Sequence, residues 1–124
     1  LIIEEPEAHL HPQLQKAMAR LIINIVNSGI PVWITTHSDT ILQHFNNMLK
    51  LKKHPQATKL MKEYNYDKKD LLDSKDVSMY QFLQVKSGKS KLQKLECTQY
   101  GFVVPTFNDA LDKIIEEVYA FQED

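Results

Sequence analysis

Two short stretches carry the side chains with chemistry in them. Glu4-Glu5-Pro6-Glu7 is followed at once by His9 and His11, and Thr35-Thr36-His37-Ser38 comes about thirty residues later. Adjacent acids leaving an extended segment point in different directions. One can hold a divalent cation through water while the other faces a reacting water and accepts its proton. A histidine brought alongside can donate to an oxyanion or a phosphate oxygen. That is the equipment for metal-assisted phosphoryl transfer to water. A Glu-Glu pair by itself is more often a solvated turn. The apolar run before this pair, Pro6 after it and Thr-Thr-His-Ser at the end of the next apolar run favour a site.

The flanking elements must bring those stretches together. Leu1 to Ile3 are continuously apolar, which predicts a strand covered on both faces, as in a parallel sheet. Pro12 suits the first position of a helix, where its missing N–H costs nothing. Leu14, Ala17, Met18, Leu21, Ile22, Ile25 and Val26 then recur at helical spacing, and Gly29 suits the position just past the helix end. Residues 30–36 (Ile-Pro-Val-Trp-Ile-Thr-Thr) predict a second strand with Trp33 in the core. Strand, helix, strand is a βαβ unit with parallel strands, so the fold class is α/β. His37 therefore falls at the same sheet edge as Glu4 and Glu5.

Farther on, Ser38 or Asp39 caps a helix buried through Ile41, Leu42, Phe45, Met48 and Leu49. The polar segment 50–74 predicts two short helices, at 57–64 and 68–73. Residues 77–86 and 90–97 predict a β-hairpin, with Val77, Met79 and Val85 on one face and Tyr80 and Phe82 on the other. Phe102 to Val104 predict another extended piece, and a last helix from Thr106 carries Phe107, Leu111, Ile114, Val118 and Phe121. His44 and His54 read as ordinary helix and surface residues, and Cys97 as a small strand residue.

With 124 residues, 43% of them hydrophobic, the chain fits one domain with a real core. A net charge of −1 excludes a global polycation or polyanion. The distribution is uneven: residues 1–48 sum to −2, residues 49–95 to +7 and residues 96–124 to −6. The basic middle reads as a solvated lysine face, with phosphate-backbone binding the sharper alternative. Tyr64 and Tyr66, among lysines, read as helix packing before base stacking. A single cysteine fits a reducing, cytoplasmic setting. No apolar run approaches the ~18 residues of a membrane span.

Leu1-Ile2-Ile3-Glu4-Glu5-Pro6 resembles the Walker B motif of ABC-type ATPases. More narrowly, with Glu7 and Leu10-His11-Pro12, it is similar to the AAA-labelled SMC- and OLD-like ATPases. Residues 31–38 resemble their next core strand followed by the switch histidine. The resemblance covers residues 1–50 and implies a partial P-loop NTPase sheet of parallel strands and flanking helices, completed by the C-terminal hairpin and helix. It divides the chain into an ATPase-core segment (residues 1–50), a lysine-rich helical segment (residues 51–76) and a closing segment (residues 77–124). It implies ATP and Mg2+ as ligands. Glu4 takes the place of the magnesium-associated acid, Glu5 of the residue that polarises the attacking water, and His37 of the switch histidine at the γ-phosphate. Ala8, His9 and His11 match the loop that meets a second ATPase head, which implies a homodimer. DNA or a genome-defence partner follows by family analogy alone. Two positions depart from the pattern: Glu4 stands where an Asp is usual, and His11 where the loop carries an aspartate.

The phosphate-binding loop of that family has no counterpart here. Ser87-Gly88-Lys89-Ser90 lies between two predicted strands, and Leu83 stands where G-x-x-x-x-G-K-[ST] needs its first glycine. The chain also opens on a strand. The expectation is therefore the C-terminal portion of a longer ATPase head, inactive alone, with uncovered apolar surface that drives self-association. Two other readings stay open. One is a docking or dimerisation module with a vestigial site. The other is a metal-dependent hydrolase using Glu4, Glu5, His9, His11 and His37.

Overall fold

A computed structural model describes residues 1–84, 88, 90–98, 101–102 and 115–121. The chain begins with a βαβ unit. β1 (Ile2–Glu4) leads through α1 (Pro12–Asn27) to β2 (Trp33–Thr35), and the two strands pair in parallel with Ile2 opposite Trp33, Ile3 opposite Ile34 and Glu4 opposite Thr35. α2 (Asp39–Lys53) and α3 (Ala57–Tyr64) follow, then two single 3-10 turns at Lys68–Asp70 and Ser74–Asp76. β3 (Met79–Gln84) and β4 (Ser90–Leu95) form the expected antiparallel hairpin. β5 (Cys97–Thr98) pairs with β6 (Gly101–Phe102), and residues 115–121 are helical.

Local chemistry explains the ends of these helices. His11 caps α1, its Nδ1 accepting from the Gln13 N–H at 3.4 Å, and Pro12 is the first helical residue. Gly29 takes φ +96°, which a side chain would resist, and the last carbonyls are then closed by Gly29 N–H to Val26 and Ile30 N–H to Ile25. Ser38 caps α2 by accepting from the Ile41 N–H, while Asp39 sits at the positive end of the helix and Lys50, Lys52 and Lys53 at the negative end.

The core lies between α1, α2 and one face of the β1–β2 pair. Ala19, Ile22, Ile23, Ile41, Phe45, Met48 and Leu49 form it, extended by Leu71, Leu72, Leu95 and Phe102. β6 is fastened to α2 by Asn46, whose side chain donates to the Phe102 carbonyl and accepts from its N–H. Gly101 makes that approach possible: a Cβ there would come within 2.6 Å of the Asn46 side chain.

Four expectations change. The α1 stripe is rotated: Ala19, Ile22 and Ile23 are buried, whereas Leu14, Ala17 and Leu21 are exposed. The helix is apolar over most of its circumference, so periodicity left its buried face open. The β1–β2 pair is not covered on both faces. Alternation sends Ile3 and Ile34 to the core and leaves Ile2 74% and Trp33 70% exposed. Trp33 is therefore not a core residue. The helix expected at 68–73 is one 3-10 turn, because Leu71 and Leu72 leave it extended to enter the core. His44 is buried rather than ordinary, because the rotation of α2 that buries Ile41 and Phe45 carries it inward with them. Residues 103–114, with most of the expected last helix, and residues 85–87 and 89, with the expected end of the first hairpin strand and most of its turn, lie outside the described residues.

Candidate active site

The parallel register puts the last residues of β1 and β2 at one edge, and the Glu5 N–H extends the ladder by donating to the Thr35 carbonyl at 2.8 Å. The chain then turns sharply. Glu5 and His9 take positive φ values of 43° and 62°, a region costly for residues with a Cβ and one that clusters at functional sites. The Ala8 N–H to Glu5 and Leu10 N–H to Glu7 hydrogen bonds close the turn at 2.9 Å each.

Glu7 joins this turn to the other strand end. Its carboxylate accepts from the Thr36 hydroxyl at 2.7 and 2.8 Å and from the His37 N–H at 2.9 Å. Partial burial would raise its carboxyl pKa, but the His37 N–H and the Thr36 hydroxyl outweigh that and hold it below the usual value. The Thr36 oxygen accepts in turn from the Ser38 N–H. The Ser38 hydroxyl donates to the Gln15 side-chain oxygen, and the Gln15 amide donates to the Leu10 carbonyl. The network thus returns to the far end of the turn it began from.

What this frame leaves free is the pair identified from sequence. His37 Nε2 lies 3.6 Å from Glu5 Oε1, with the two side chains 89% and 57% exposed. That separation suits an ion pair when His37 is protonated and exceeds a good hydrogen bond. Glu4, the last residue of β1, is exposed and by alternation lies on the open side of the sheet with Ile2. Ala8 and His9 are exposed in the turn, and His11 is occupied as the α1 cap. Glu5 and His37 are thus brought together, while His9 and His11 are not drawn to them. Among the described residues no three His, Cys, Asp or Glu side chains form a group that could hold a metal ion. The five-residue metal centre of the hydrolase reading therefore has no preformed ligand set. An open hollow of about 550 Å³ lies elsewhere, against Val77, Leu95, Cys97 and Phe102, and contains none of these residues.

Sequence reasoning assigned Glu7 no role in the site. Its signal was available as a third acid after Pro6, opposite a Thr-Thr donor at the next strand end. It also passed over Asp70 in a lysine-rich segment that read as solvated. Asp70 is fully buried. Arg20 grips both its oxygens at 3.0 and 2.8 Å, and Asn24 and the Asp67 N–H donate to it as well. Burial would raise its carboxyl pKa, yet the Arg20 hydrogen bonds prevail and lower it to about 2.

A family model described as AAA ATPase domain matches residues 1–42, about a third of the chain. The match spans β1, the turn, α1, β2 and the start of α2, and it supports an ATPase-type segment there. No curated protein and no solved structure matches the chain. Among the described residues no helix is long and apolar enough to cross a membrane.

Proposed function

We propose that residues 1–42 form the water-activating edge of an ATP-hydrolysing site of the ABC/SMC/OLD-like kind, with the phosphates cradled by residues other than these. The supporting observation is the Glu5–His37 pair, held at one sheet edge with both side chains open to solvent, inside the segment that is similar to an AAA ATPase domain.

In this reading Glu5 accepts the proton of the water that attacks the γ-phosphorus, as the bond to the bridging oxygen breaks and ADP leaves. His37 donates from Nε2 to a γ-phosphate oxygen, which requires that nitrogen to carry a proton. Glu7 contacts neither the water nor the phosphate in this reading; it holds the Thr36 hydroxyl and the His37 N–H so that the imidazole stands over the edge. Exposed carboxylates on an open edge fit a hydrated, oxygen-liganded Mg2+, and Glu4 is the residue that would hold it through water. Bound there, magnesium would neutralise phosphate charge. Ala8 and His9, exposed on the turn, would face a second ATPase head.

The test is steady-state ATP turnover of an assembly that pairs this chain with a phosphate-binding half. Glu5→Gln should abolish turnover while ATP binding persists. The isolated 124-residue chain should show no turnover. Hydrolysis by that chain alone, lost on Glu5→Gln, would overturn the need for a second half. Unchanged turnover of the assembly after Glu5→Gln would leave the docking-module reading in its place.

A further inference from the structure

Two apolar surfaces lie open in the C-terminal half. The first is one face of the β3–β4 hairpin. The register places Tyr80 opposite Lys94 and Phe82 opposite Leu92, all four on one side, while Met79 and Leu95 point the other way and pack on the core. Tyr80, Phe82 and Leu92 are exposed, Phe82 by 76%. A solvent face carrying a Phe-Leu cross-strand pair is a contact surface waiting for a cover. The second surface is the helical segment 115–121. At about 100° per residue, Ile115, Val118, Tyr119 and Phe121 share one side, Ala120 stands opposite, and Glu116 and Glu117 flank the apolar side on its two borders. This apolar side is uncovered too, with Phe121 82% exposed.

Charge matches the two. Residues 86–94 carry Lys86, Lys89, Lys91 and Lys94 and no acid, whereas residues 96–124 sum to −6. Apolar area can be supplied by many partners; an acid-flanked apolar helix suits a lysine-edged apolar strand pair in particular.

The geometry points to a reciprocal contact between two copies of this chain, in which segment 115–121 of each copy covers the open hairpin face of the other. Among the described residues of one copy both surfaces stay uncovered, and a twofold pair closes all four at once. The apolar side of the segment lies on Tyr80, Phe82 and Leu92, and the flanking acids come beside Lys94, which shares that face. This surface is separate from the Ala8–His9 turn and does not depend on the ATPase reading.

Sedimentation equilibrium of the full 124-residue chain tests it. The chain should dimerise, and rising salt should weaken the dimer. A face variant, Phe82→Ser with Leu92→Ser, and a helix variant, Val118→Ser with Phe121→Ser, should each weaken self-association by roughly tenfold or more. All four side chains are exposed, so circular dichroism should show the fold retained. Mixing the two variants should recover association, because the helix of the first and the face of the second are intact. Lys94→Glu should weaken the dimer, and adding Glu117→Lys to the same chain should restore it without any apolar change. A chain that stays monomeric, a dimer indifferent to both double variants, or variants that fail to complement on mixing would overturn the proposal.

Discussion

The carboxylates of Asp70 and Glu7 are both held by several donors, and they differ in what they leave to solvent. Asp70 is sealed: Arg20, Asn24 and the Asp67 N–H satisfy it, and Asn27 closes the neighbourhood by donating to the Lys69 and Leu71 carbonyls. The carboxylate itself presents nothing to solvent. Glu7 is equally engaged, but its partners are the hydroxyl and backbone N–H of Thr36 and His37, and the side chains it positions stay open. The first network closes a charge into the fold. The second spends its charge on holding two strand ends so that other groups remain free.

Breaking the sealed network should have the largest effect. Asp70→Ala removes a fully buried acceptor shared by Arg20, Asn24 and the Asp67 N–H, and the loss of these charge-assisted hydrogen bonds should cost roughly 3–4 kcal/mol, read from urea denaturation. A loss as small as that of a surface ion pair such as Lys52–Asp73 would show that the seal is not structural.

The next effect is on pH and arises beside that network. His44 is buried, its Nε2 has no hydrogen-bond partner, and Tyr66, Lys16, Arg20 and Asp70 are the groups around it. Burial above all, with Lys16 and Arg20 adding to it against Asp70, lowers its pKa from 6.5 to about 4. The unfolded chain therefore takes up a proton first. Stability is full above pH 6.5 and falls as the pH drops toward 4, by about 3 kcal/mol at the limit. Asp70 extends the decline from 3.8 down to about 2, where its carboxylate is protonated in the folded chain too. His44→Leu should flatten the upper portion of this curve in denaturation measured across that range.

Glu7→Gln sharpens the comparison from the other side. It removes a charged acceptor from the Thr36 hydroxyl and the His37 N–H, at a cost of about 1–2 kcal/mol. Faster hydrogen exchange at the His37 amide should report it. The same amide should loosen in the wild-type chain as the pH falls below the ordinary carboxyl value of 4.5, because the folded pKa lies under it.

Glu5→Gln and His37→Ala should do least to the fold. Both side chains are exposed and only 3.6 Å apart as an ion pair, so thermal unfolding should move by less than about 0.5 kcal/mol. Large destabilisation by either would erase the distinction between sealed and open charge.

Particular residues show how far the sequence could be read. Pro12, Gly29 and Ser38 each carry a local backbone preference, and the helix ends fall where those preferences put them. The β1–β2 pairing followed from one βαβ unit with a short crossover helix. The buried face of α1 was not legible, because Leu14, Leu21, Ile22, Ile23 and Ile25 surround the helix. Asp70 was not legible either, because its partner Arg20 lies fifty residues away.

The sequence by itself determined the order of elements and the meeting of Glu5 and His37 at one edge. Those depend on local periodicity, caps and the direction of parallel strands, all fixed within about forty residues. Tertiary structure decided which apolar side chains are core, why Trp33 faces solvent, and which acids are structural. Burial and long-range pairing belong to surfaces that only meet once α1, α2 and the segment carrying Asp70 have packed, so no window of the sequence contains them.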